Sequence, residues 1–167
     1  KFPLAAQLIA DRHKDNGLAY YDYYIFAYAP FSSETVTFTS YYSARNVPDS
    51  MPIGEGDVTI WLFGGSTMAN METVDRLTIA NQLALNLKRK KIHATVVNFG
   101  LGGFQSSLES IKFQDLLRKV DEKERPDIVI FYDGFNDAGH AFVFEAGTIQ
   151  EDLSKKMEAL VTGSWGK

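Results

Sequence analysis

The run Val58-Thr59-Ile60-Trp61-Leu62-Phe63-Gly64-Gly65-Ser66-Thr67 decides the fold. Residues 58–63 are an almost unbroken apolar stretch, the pattern of a short strand buried on both faces, as in a parallel sheet. Two glycines close it. Without a Cβ at those positions the chain can turn sharply, and Ser66 then stands at a strand-to-helix junction with its hydroxyl free to face solvent.

The same strand-then-glycine pattern recurs downstream. Residues 94–99 form a second apolar strand, closed by Gly100-Leu101-Gly102-Gly103, and residues 127–132, after Pro126, form a third that ends at Asp133-Gly134. Between the first two, Val74, Leu77, Ala80, Ala84 and Leu87 recur at helical spacing with Ile79 and Leu83 flanking them. The basic run Lys88-Arg89-Lys90-Lys91 closes that helix and complements its dipole. Ser106-x-x-Glu109 reads as a capping box that opens a second helix through Leu108, Ile111, Leu116, Leu117 and Val120. A last helix is expected over residues 151–161. Strands alternating with helices at this spacing predict an α/β fold, a parallel sheet with right-handed crossovers.

Upstream the texture differs. Residues 1–52 read as an N-terminal extension with β-structure, and residues 53–167 as the α/β domain. Tyr20, Tyr21, Tyr23, Tyr24, Phe26, Tyr28, Phe31, Phe38, Tyr41 and Tyr42 crowd the extension. The β-branched and aromatic run 35–42, with Val36, Phe38 and Ser40 at alternate positions, reads as a strand. Such a cluster can pack as a hydrophobic layer or present a sugar-stacking platform.

Composition narrows the function classes. At 167 residues, 45% hydrophobic and 23% charged, the chain has the profile of one globular domain. A net charge of −4 gives no general attraction to nucleic acid or anionic membranes. The absence of cysteine removes disulfides and thiolate metal sites. No stretch approaches the roughly 20 apolar residues of a membrane helix. The N-terminus Lys1-Phe2-Pro3-Leu4 has no initiator Met and reads as processed or trimmed. No cofactor or metal is expected.

Ligands of open parallel sheets bind beyond the carboxyl ends of the strands. All three polar, glycine-rich loops converge on that rim. Ser66 can act as a nucleophile if a base lies near, or it can merely cap its helix. Gly103 can offer a backbone amide unobstructed by a side chain, and Asn136 a side-chain amide at the end of a rigid strand. With the amide of Ser66 these make a three-donor oxyanion hole of the kind acyl transfer requires. Each loop taken alone could be an ordinary turn. Other glycine motifs fail. Gln105 stands where the third glycine of a dinucleotide fingerprint belongs, no P-loop sequence exists, and Met68 replaces the last glycine of a lipase elbow.

At these residues the chain resembles the SGNH hydrolases, a family named for Ser, Gly, Asn and His in four sequence blocks. Gly64-Gly65-Ser66-Thr67 is similar to the first block, with Gly65 where the founding pattern has Asp. Asn98-Phe99-Gly100-Leu101-Gly102-Gly103 is similar to the second, with Gly102 the alternative if the register shifts by one. Gly134-Phe135-Asn136-Asp137 is similar to the third. The resemblance spans about residues 57–140. It implies a flavodoxin-like three-layer α/β/α sheet of about five strands in order 2-1-3-4-5. It also implies a serine esterase with catalytic Ser66, Gly103 and Asn136, acting by hydrolysis or transfer on small acyl esters such as O-acetyl groups on carbohydrate. An extracytoplasmic, periplasmic or secreted location also follows from family habit.

The fourth block, a late Asp-x-x-His, is not found after residue 140. Asp137-Ala138-Gly139-His140 matches literally but overlaps the third block; His93 precedes the second strand, at the far end of the sheet; His13 lies in the charged stretch Asp11-Arg12-His13-Lys14. The third strand would also be an exposed apolar edge unless residues 20–42 or further chain cover it. The domain is therefore expected to be C-terminally incomplete, with the last strands and the histidine on a missing segment or companion chain. A second reading is a non-catalytic module that binds acylated carbohydrate or a protein partner.

Overall fold

The structure, a computed structural model, describes residues 25–143 together with residues 18–21 and Gln7, Ala10 and Asp11. The helix expected at 151–161, His13 and the side chain of His140 lie outside the described residues. Two short antiparallel pairs come first: β1 (Leu18–Tyr21) with β2 (Ile25–Tyr28), and β3 (Phe31–Ser32) with β4 (Thr37–Phe38). The α/β part follows as β5 (Val58–Gly64), α1 (Ser66–Ala69), α2 (Ile79–Arg89), β6 (Ala94–Asn98), α3 (Ser106–Lys119), β7 (Ile128–Tyr132) and α4 (Phe135–Val143). No helix among the described residues is long and apolar enough to cross a membrane.

β5 lies between β6 and β7 and is parallel to both. Successive side chains of a strand point to opposite faces, so a central strand covered on both sides must be apolar throughout. Ile60 and Leu62 pack with Val96 and with Ala80 and Ala84 of α2. Trp61 and Phe63 point the other way, onto Val97, Phe99 and Leu116 of α3. Both rings are fully buried, and burial of such a side chain stabilises by about 1.5–3 kcal/mol. Helix, sheet, helix is the three-layer order expected.

The two edges differ. Beside β6, the chain around residues 44–51 runs close: Arg45 N donates to Asn98 O (2.8 Å), Met51 N to Ala94 O (3.0 Å), and Val96 N to Ser50 Oγ (2.8 Å). On the other side no described strand pairs with the outer edge of β7, and Ile128, Ile130, Phe131 and Tyr132 are 39–56% exposed. The upstream segment bonded to this sheet's edge, residues 44–51, lies at β6. Among the upstream aromatics, Phe26 meets Phe104 edge-on at 5.4 Å and Tyr28 meets Phe38 at 4.4 Å.

Three local expectations change. The strand over 35–42 shrinks to Thr37–Phe38, because Tyr42 and Ser43 turn the chain with positive φ (48° and 59°). α2 starts at Ile79, where Thr78 Oγ accepts from Asn81 N (3.2 Å). Leu77 falls before that cap in a single 3-10 turn and is 66% exposed. The capping box at Ser106 does not form. Gln105 is the N-cap and makes no side-chain cap bond, while Glu109 is buried. The cap arrives from the first turn of α4: Ser106 N and Oγ both donate to the Asp137 carboxylate. Asp137 satisfies an orphan amide and places negative charge at the positive end of α3.

Candidate active site

The parallel register brings the three strand ends together. Leu62 pairs with Asn98, Gly64 pairs with Tyr132, and Leu101 N donates to Gly64 O (2.9 Å). The glycines permit this contact. A Cβ on Gly64 would lie 2.5 Å from Tyr132 O, and one on Gly100 would lie 2.6 Å from Ala69 N. Buried Asn98 shapes the second loop, accepting from Gly100 N (2.9 Å) and donating to Met68 O (2.9 Å).

Ser66 is the first residue of α1 and is exposed. It lines a cleft of about 270 Å³ with Gly65, Thr67, Tyr132, Asp133, Gly134, Phe135 and Asn136. Ser66 and Asn136 thus share one cleft. The Asn136 amide lies against the turn itself, since a Cβ on Gly65 would sit 2.5 Å from Asn136 Nδ2. The same nitrogen donates to Phe104 O (2.6 Å). A side-chain amide carries two hydrogens, and this bond uses one of them. Gly103 precedes Phe104 but does not line the cleft. Its φ is +81°, a conformation in which other residues are strained, and nothing lies within 4 Å of its absent Cβ. At the alternative, Gly102, which is half-buried, a Cβ would meet the Tyr28 hydroxyl at 2.9 Å.

Under this rim lies a buried ionisable pair, Glu109, whose spacing from Ser106 suggests a capping role, and Lys112. Glu109 and Lys112 are both fully buried on α3. Neither carboxylate oxygen of Glu109 has a hydrogen-bond partner among the described residues. Burial, then the neighbouring carboxylates Asp133 and Asp137, push Glu109 up to about 8, with Lys112 acting in the opposite sense. Lys112 Nζ donates to Phe99 O (3.3 Å) and lies over the Phe99 and Phe104 rings, and burial lowers it to about 7. The pair was legible in part, because Lys112 falls on the 108–112–116 stripe between two buried leucines.

No described imidazole reaches the cleft. His93 is exposed beside Asp57 (3.4 Å) just before β6, at the opposite end of the sheet. The titratable side chains lining the cleft are Tyr132 and Asp133. Among the described residues, no group of three or more His, Asp or Glu is arranged to hold a metal ion.

No family model and no curated protein matches the chain. Among solved structures it is similar to AlinE4, an SGNH-hydrolase family esterase. That match has a TM-score of 0.47 and 23% identity over 55% of this chain and 46% of that one. A point mutant of the same esterase gives a TM-score of 0.44 and 24% identity over 53% and 44%. The chain spans less than half the length of the esterase it matches.

Proposed function

We propose that this chain carries the nucleophile and oxyanion groups of a serine ester hydrolase acting on small acyl esters, with O-acetyl groups on carbohydrate as the preferred class. The reading is carried by one observation: the Asn136 amide lies against the Gly65–Ser66 turn in a shared cleft while bonded to the loop of Gly103. Ser66 Oγ attacks the acyl carbon and its proton passes to a base. The carbonyl oxygen, now an anion, is held by the amides of Ser66 and Gly103 and by the second N–H of Asn136. Collapse expels the alcohol, which takes the proton. Water, or a second alcohol in a transferase, then releases the acyl group from Ser66. A cleft of about 270 Å³ suits a short acyl group better than a lipid chain.

The base, in this proposal, is a histidine on chain that adds to the open edge of β7. The exposed Ile128, Ile130 and Phe131 favour such an addition. A second reading, a module that binds acylated carbohydrate or a protein partner without turnover, draws support from the absence of a described imidazole in the cleft. A fluorophosphonate probe separates the two on the full-length protein. Labelling that Ser66→Ala abolishes supports the hydrolase. Binding of an acetylated sugar with no labelling supports the module.

A further inference from the structure

Helix α1 has four residues and buries only Met68 and Ala69, too little to hold a fixed position by itself. It ends at Asn70, whose left-handed backbone (φ 50°) leaves the last carbonyls without helical partners. Arg45 takes them. Its Nη1 donates to Ala69 O (2.9 Å) and Asn70 O (3.1 Å), its Nη2 to Thr73 O (2.6 Å), and its Nε to Asp75 Oδ1 (2.6 Å). Asp75 is held in turn by Thr37 N (3.2 Å) and Asn46 Nδ2 (3.3 Å). Arg45 is itself pinned to β6, since its backbone N donates to Asn98 O, and Asn98 holds Met68 O. Carbonyls of Met68, Ala69 and Asn70 are therefore all tied to β6 and to the chain alongside it.

Arg45 and Asp75 are 1% and 8% exposed. Taking such a pair out of water costs several kcal/mol, and apolar residues of similar volume are often as stabilising. Stability alone is a poor account of it. What a planar fork of five donors supplies, and a greasy contact does not, is a fixed geometry for several oxygens at once.

We propose that Arg45 is the positioning residue of Ser66: it fixes α1 from its carbonyl end, so that the hydroxyl at the other end stands in the cleft. The proposal rests on the reading of Ser66 as nucleophile. Arg45 does not line the cleft and acts only through the helix.

The test compares the full-length wild type with Arg45→Met and Arg45→Lys by residue-resolved hydrogen exchange and by the rate of fluorophosphonate labelling at Ser66. In Arg45→Met the amides of Met68, Ala69 and Asn70, bonded to Gly65 and Ser66 carbonyls, should exchange about tenfold faster or more, with α3 unchanged. Labelling should slow by about tenfold or more, and Arg45→Lys should recover part of both. Equal acceleration in α1 and α3, unchanged exchange in α1, or labelling at the wild-type rate would overturn the proposal. Should Arg45→Met fail to fold, Arg45→Lys carries the same comparison against wild type, and its identity with wild type overturns the proposal. A wild type that does not label counts against the hydrolase reading, and the exchange data alone then decide the role of Arg45.

Discussion

Replacing Gly65 by Ala tests whether that glycine exists to make room for the Asn136 amide. Its φ of −76° is negative, so no left-handed conformation calls for glycine there. The new Cβ would sit 2.5 Å from Asn136 Nδ2, whereas ordinary contact begins at 3.4 Å. The amide must retreat by about 1 Å, which stretches its 2.6 Å bond to Phe104 O beyond hydrogen-bonding length. Losing that bond costs about 0.5–1.5 kcal/mol. Restricting the unfolded chain returns about 0.4–1 kcal/mol. Net stability should therefore change by less than about 1 kcal/mol, within a few degrees of melting temperature. Reactivity should fall far more. Removing one oxyanion donor lowers turnover by about 10²–10³, and Gly65→Ala should slow fluorophosphonate labelling of Ser66 toward that range. The variants Gly65→Ala, Asn136→Ala and the double form a cycle, measured by labelling rate and urea melts. If Gly65 acts through Asn136, the double is no slower than the slower single. A Gly65→Ala protein that labels at the wild-type rate, or single losses that multiply in the double, would refute the reasoning.

The buried pair under the rim predicts an unusual stability profile. Glu109, raised to about 8 from 4.5, keeps its proton only when folded, so its contribution falls as pH rises between those values. Lys112, lowered to about 7 from 10.5, sheds its proton early when folded, so its contribution rises with pH across that window. Melting temperature should carry a minimum near pH 7–8 from the pair. Glu109→Gln should remove the acid-side slope and Lys112→Met the alkaline-side slope; parallel profiles for wild type and Glu109→Gln from pH 5 to 8 would contradict this assignment. Asp137→Ala removes the acceptor of Ser106 N and Oγ. It should cost about 0.5–2 kcal/mol, as loss of a helix cap does, and slow labelling less than Asn136→Ala. A urea melt and a labelling time course decide it.

The layered sheet was readable because its signal is local. Apolar runs closed by glycine at residues 64, 100 and 134 fix strand ends without reference to the rest of the chain, and parallel order follows from the helices between them. The placing of Ser66 and Asn136 at one rim was readable for the same reason, as each follows a strand by a residue or a few. What escaped depends on partners far apart in the chain. Ser106-x-x-Glu109 has the spacing of a capping box, yet Asp137 takes the cap and Glu109 turns inward, a choice made by tertiary packing. Arg45 and Asp75 are 30 residues apart, and nothing in either local pattern marks them as a pair. Leu77 matched the helical period but lost to the turn that Thr78 imposes.

The central claim is that one oxygen can be held by donors from three strand ends beside Ser66. A crystal structure of the full-length protein after reaction with a fluorophosphonate tests it most directly. The account predicts phosphorus bonded to Ser66 Oγ, with the phosphoryl oxygen about 3 Å from Asn136 Nδ2 and from the backbone nitrogens of Ser66 and Gly103. An adduct on another residue, or on Ser66 with that oxygen turned out to solvent and away from Gly103 and Asn136, would contradict it.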